Sequence, residues 1–201
     1  MGNLSDVSVL LGQNAGDLEM ARRVFTTETR RFVEGVLEAL TRGGAEKWMT
    51  PRLRIDLPAD IETEAKSTVG LTAQHSTAVA KLRVKKGTKF MHVGDVSFGI
   101  LYTDADPRMA FFNWQVKLEP AAKYNRLDNA VWAHWQAKWK GDLPQGAGHH
   151  ARDNTVWFVS RPLNKDLRSE TAFEDVRCVL EELLATEAEI GHSVGVEEED
   201  D

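Results

Sequence analysis

Three side chains that could share a hard cation and a phosphate lie on two neighbouring stretches of the chain: Asp95, Gln115 and Lys117. Asp95 falls in Val93-Gly94-Asp95-Val96-Ser97-Phe98-Gly99-Ile100, and the other two in Asn113-Trp114-Gln115-Val116-Lys117-Leu118. The second stretch alternates polar and apolar residues, the period of a half-buried strand. That period puts Gln115 and Lys117 on one side of the strand, opposite Trp114 and Val116. If Asp95 points the same way from an adjacent strand, a carboxylate and an amide oxygen meet, the kind of donors magnesium prefers. Lys117 would then stand beside an attacking water or a charged phosphorane. A strand wet on one face and packed on the other produces the same pattern with no chemistry at all.

A second pattern is basic. Lys81, Arg83 and Lys85 alternate with Leu82 and Val84, and Lys86 and Lys89 follow. Such a stripe neutralises phosphates and makes binding salt-dependent. It equally protects an exposed edge strand from pairing with another chain.

The remaining reactive residue types are less suggestive. None of the six histidines makes a zinc-ligand spacing. His149-His150 sits among glycines and reads as solvated. Cys178, the single cysteine, lies within a helical apolar pattern and reads as a structural thiol in a reducing compartment. Trp132, Trp135 and Trp139 recur with Leu127 and Val131 at helical spacing, which is core patterning for large aromatics. Glycine-rich phosphate loops, dinucleotide fingerprints and a Gly-x-Ser-x-Gly elbow are all missing, so NTPase, dehydrogenase and α/β-hydrolase readings lose their usual support.

The elements that must position these residues follow from periodicity. Leu18, Phe25, Phe32, Val33, Val36, Leu37 and Leu40 predict a helix over 17–42, opened by Asp17 and closed by Gly43-Gly44. Leu53–Leu57 alternates as an edge strand ending at Pro58, and 58–75 reads as loop or short helix. Residues 77–85 and 89–103 form a hairpin around Lys86-Gly87-Thr88, and 109–118 is a third strand after the turn at Asp104–Pro107. A helix over 121–140, a glycine-rich loop over 141–153, a strand over 155–160 and a helix over 171–190 complete the order, the last beginning near Ser169 or at the Thr171 capping box and closed by Gly191. A helical connection of this length can place strand 155–160 parallel to 109–118. The expected fold is α+β, a mixed, mostly antiparallel sheet of four to five strands flanked by helices in αβββαβα order.

Composition sets the frame. The chain has 201 residues, 42% hydrophobic and 28% charged, which suits one globular domain over 17–191. Residues 1–16 read as a flexible arm and 192–201 as an acidic disordered tail, whose Glu197–Asp201 run carries five of the six net negative charges. No secretion signal or long apolar run appears, so a cytoplasmic protein without membrane contact is expected.

The element order, with Asp95 on one strand and Gln115-Val116-Lys117 on the next, resembles the restriction-endonuclease-like, or PD-(D/E)XK, superfamily. The resemblance covers roughly residues 17–160 and implies magnesium-dependent hydrolysis of nucleic-acid phosphodiesters, in defence or DNA processing. It implies catalytic roles for Asp95, Gln115 and Lys117, and metal binding by Asp95, Gln115 and a first-helix glutamate, Glu28 or Glu34. Lys81, Arg83, Lys85, Lys86 and Lys89 would then contact nucleic acid. Gln115 stands where the family more often has Glu, and no Pro-Asp precedes the Asp95 strand. The alternative is a non-catalytic binding or assembly module that meets a protein partner or a second copy of itself through its sheet face or its tryptophan helix.

Overall fold

The computed structural model describes residues 15–68, 71–103, 111–124, 126–140, 142–144, 146–163 and 167–196. The arm up to residue 14, the Asp104–Pro107 turn and the acidic run 197–201 lie outside the described residues.

Helix α1 spans Ala15–Thr41, taking in Asp17, and a short 3-10 turn follows at Ala45–Trp48. Strands β1 (Leu53–Asp56), β2 (Glu62–Thr68), β3 (Leu71–Lys86), β4 (Lys89–Thr103) and β5 (Phe111–Pro120) come next. Helix α2 (Leu127–Trp139), strands β6 (Gly148–His150) and β7 (Thr155–Pro162), and helices α3 (Ser169–Ala185) and α4 (Glu187–Ser193) complete the order.

The seven strands form one sheet in the order β1-β3-β4-β5-β7-β6, with β2 also paired to β3. Every pairing is antiparallel. The expected mixed sheet of four or five strands is therefore corrected on both counts. Two segments account for the extra strands. Residues 58–75, weakly periodic in sequence, supply β2 and the start of β3, because hairpin pairing imposes extension where local preference is slight. The glycine-rich 141–153 segment contains β6, which pairs with β7 over His150↔Thr155.

That short strand also explains the direction of β7. The α2 connection does return the chain parallel to β5, but as β6; the β6–β7 turn then reverses it, and β7 slips between the two. Thus Val116 opposes Val159 in an antiparallel ladder, not the expected parallel one.

The last predicted helix is two. Thr186 interrupts it with φ −95° and ψ 19° while its hydroxyl donates to the Glu182 carbonyl. A side-chain oxygen competing for a backbone group commonly bends a helix in this way. Gly191 lies inside α4, and Thr171 lies within the first turn of α3, whose start has no side-chain cap.

Alternation sorts the strand residues by face. Ala78, Ala80, Leu82, Val96, Phe98, Ile100, Trp114, Val116, Leu118 and Val156 form a buried layer. The helices cover this face. Phe25 and Phe32 of α1 meet Phe112 and Trp114 at centroid distances of 4.5 and 5.7 Å, and Trp135 of α2 meets Phe158 at 4.7 Å. Gly99 allows β3 and β4 to approach closely, since a Cβ there would lie 2.2 Å from the Ser76 carbonyl oxygen.

Candidate binding face

The other side of the sheet carries the polar halves of the same strands; its centre is buried, with Ser97, Asn113 and Gln115 at 6, 4 and 3% exposure. Opposed residues of an antiparallel pair share a face, so the register lays out its surface. Asp95 opposes Lys81 on β3 and Glu119 on β5, Ser97 opposes Lys117, and Gly99 opposes Gln115. Asp95, Gln115 and Lys117 therefore do share a face. They do not share a place on it. Asp95 and Gln115 are offset by four residues along β4, about 13 Å at a strand rise of ~3.3 Å per residue.

Each is also engaged with a neighbour. Asp95 lies 2.8 Å from His92 Nε2. Lys117 donates to Glu119 at 2.6 Å and stands 5.4 Å over the Trp157 ring. Gln115, only 3% exposed, donates to the Ser160 hydroxyl at 3.4 Å. Glu28 projects from α1 on the helical side of the sheet, paired with Arg31 at 3.2 Å, and Glu34 pairs with Arg30 at 2.7 Å. Among the described residues, no group of three or more His, Cys, Asp or Glu side chains is placed to hold a metal ion.

The basic stripe is interleaved with acids. Arg83 pairs with Asp56 at 2.7 Å, and Arg54 contacts the same carboxylate. Lys81 is flanked in register by Asp56 and Asp95. Lys85, Lys86 and Lys89 are exposed at the β3–β4 hairpin end, where Lys86 faces Lys89 across the turn. Between these charges, Val79, Leu101 and Trp157 are half-buried.

Three polar clusters on the helical side were not read from sequence. Asp128, at 0% exposure, meets His149 at 2.6 Å, with Trp132 6.2 Å from the imidazole. His149 is thus a tie between β6 and α2, not a solvated loop residue. Glu182, buried on α3, meets His134 at 2.9 Å and also Lys138, both from α2. Arg161 donates to Asp175 at 2.8 Å. Burial pushes the Asp175 carboxyl up from its ordinary range, against the opposing pull of Arg161. Burial likewise raises the Cys178 thiol, as befits a structural cysteine. A signal for Asp128 was available: with Val131 and Trp135 it shares the apolar spacing of α2, and an acid on such a stripe needs a buried partner. Nothing local points from Asp128 to His149.

The fold and this surface define an α+β protein whose antiparallel sheet carries its described helices on one side, and none of those helices is long and apolar enough to cross a membrane. No protein-family model matches the chain, nor does any curated protein or solved structure.

Proposed function

We propose that this protein is a non-catalytic binding module that takes a polypeptide partner on the polar face of its sheet. The observation that carries this reading is the pairing of that face's charges. Asp56 pairs with Arg83 across β1 and β3, Glu119 pairs with Lys117 along β5, and Asp95 is hydrogen-bonded to His92 along β4. A phosphate backbone is bound by cations whose charge is not already spent on neighbouring carboxylates. A polypeptide, with apolar groups and charges of both signs, fits a surface where Val79, Leu101 and Trp157 lie between paired charges. The tryptophan helix is less suited, because Trp135 is only 2% exposed and packs on Phe158.

The rival reading is a magnesium-dependent nuclease acting in defence or DNA processing, with Asp95, Gln115 and Lys117 as its site. One set of measurements separates the two. Peptides selected from a displayed library against the purified full chain should shift backbone amide resonances clustered on β3, β4, β5 and β7. Trp157→Ala should weaken that binding by roughly tenfold or more, the scale of an aromatic anchor. Peptides that map to the helical side would overturn the proposal. So would magnesium-dependent cleavage of DNA or RNA by the wild type that Lys117→Ala abolishes.

A further inference from the structure

Helix α1 has a second face that no described element covers. Of the three large apolar residues that the described surface leaves exposed, two lie on it: Met20 at 67% and Val24 at 57%. At 100° per residue, Met20, Val24, Glu28, Arg31, Gly35 and Ala39 fall within about one 100° stripe. The stripe has an internal order. Large apolar residues occupy its N-terminal part, an acid and a base its centre, and exposed Gly35 and half-buried Ala39 its C-terminal part, with exposed Glu38 along one edge. Gly35 is exposed with no heavy atom near the position its Cβ would take. Beside it a cavity of about 530 Å³ is lined by Phe25, Phe32, Leu163 and Leu167.

This order is its own complement when reversed. Place a two-fold axis midway between Glu28 and Arg31, and the stripe of an antiparallel second helix lies on the first. Glu28 then meets Arg31 of the other copy and Arg31 meets its Glu28. Val24 faces Gly35, and Met20 faces Ala39. Both large residues meet small ones, and the cavity beside Gly35 receives the incoming Val24. A two-fold interface requires this reciprocity, in which residue i meets j and j meets i. Interdigitation of large with small side chains is also what close packing demands. Within one chain Glu28 and Arg31 already pair at 3.2 Å while remaining 64% and 71% exposed. Their charges can therefore be exchanged between copies without exposing a buried ion.

We propose that α1 is a self-association surface, and that its partner is a second copy of this chain packed antiparallel through Met20, Val24, Glu28, Arg31, Gly35 and Ala39. The surface lies across the sheet from the polar face, so the two proposals stand or fall separately. One helix pair makes a modest interface, and the dimer should dissociate on dilution.

Sedimentation velocity on the purified full chain, from micromolar to hundreds of micromolar, tests this. The wild type should move from one-chain to two-chain mass. Glu28→Arg and Arg31→Glu each replace two opposite-charge contacts by two like-charge ones and should weaken association by roughly tenfold or more. An equimolar mixture of the two variants should recover two-chain mass, because each then offers the charge the other lacks. Val24→Asp should remain at one-chain mass, with an unchanged circular dichroism spectrum showing that exposed positions leave the fold intact. A wild type of one-chain mass throughout would overturn the proposal. So would a dimer that both charge reversals leave intact, or a mixture that fails to associate.

Discussion

The two faces of the sheet are made by alternate residues of the same strands, yet they solve opposite problems. On the covered face, Phe98, Trp114 and Val116 are removed from water and stability comes from apolar area and close packing. On the other face, Lys81, Asp95, Lys117 and Glu119 stand one position away; Lys81 and Asp95 are register neighbours across β3 and β4, and Lys117 pairs with Glu119 along β5. A single-residue slip of register would exchange these populations. The register is therefore fixed by the helical side, while the second face leaves Lys81 and Glu119 exposed around a buried polar centre of Ser97, Asn113 and Gln115.

That contrast makes graded expectations. The largest effect belongs to Trp114→Ala, which empties a site packed by Phe32 and Phe98; it should cost about 3–5 kcal/mol of unfolding free energy in urea titrations. A cost under ~1 kcal/mol would mean that α1 does not seal the core. Next comes His149→Ala, which leaves the buried Asp128 Oδ2 without its partner while Asn129 stays at 3.3 Å on Oδ1, and should cost roughly 1.5–3 kcal/mol in the same assay. Recovery with His149→Gln, which can still donate, would show that the hydrogen bond and not the ring is responsible. Gly99→Ala tests the link between the faces. The added Cβ meets the Ser76 carbonyl oxygen at 2.2 Å, so the strands must part at a cost of about 1–3 kcal/mol, visible as a lowered melting temperature.

The smallest effect should come from Lys117→Ala. Its pair with a half-exposed Glu119 is worth at most ~1 kcal/mol, so the melting curve should barely move. A loss comparable to that of Trp114→Ala would mean that the polar face is part of the stabilising core, and the comparison would fail.

Much of this was legible in the chain. Alternation at 77–85 and 109–118 located β3 and β5, because strand period is a property of neighbouring residues. The Lys86-Gly87-Thr88 turn fixed the β3–β4 hairpin, where Gly87 at φ 58° takes a left-handed conformation that glycine adopts freely. Within the trio of Asp95, Gln115 and Lys117, alternation put the last two on one face for the same local reason and left the facing of Asp95 as a condition. Its members' mutual distance was not legible, since it depends on how β4 slides against β5. β2 and β6 were missed because Glu, Ala, Lys and Gly, which are depleted in strands, dilute the local signal that pairing with a neighbouring strand overrides.

By itself, then, the sequence determined where the amphipathic segments lie and which residues each shows to water. Helices were legible for the same reason: α1 lies within two residues of its expected limits and α2 ends one residue early, although α2 starts at Leu127, six residues after its expected start, behind a 3-10 turn at Ala122–Tyr124. Tertiary structure alone decided that β7 runs antiparallel to β5, that Asp95 faces Glu119 and not Gln115, and that His149 closes on Asp128. The physical reason is separation along the chain. Periodicity is set by a few consecutive backbone torsions, whereas register and partner choice are set by contacts between segments tens of residues apart, whose energies no local window contains.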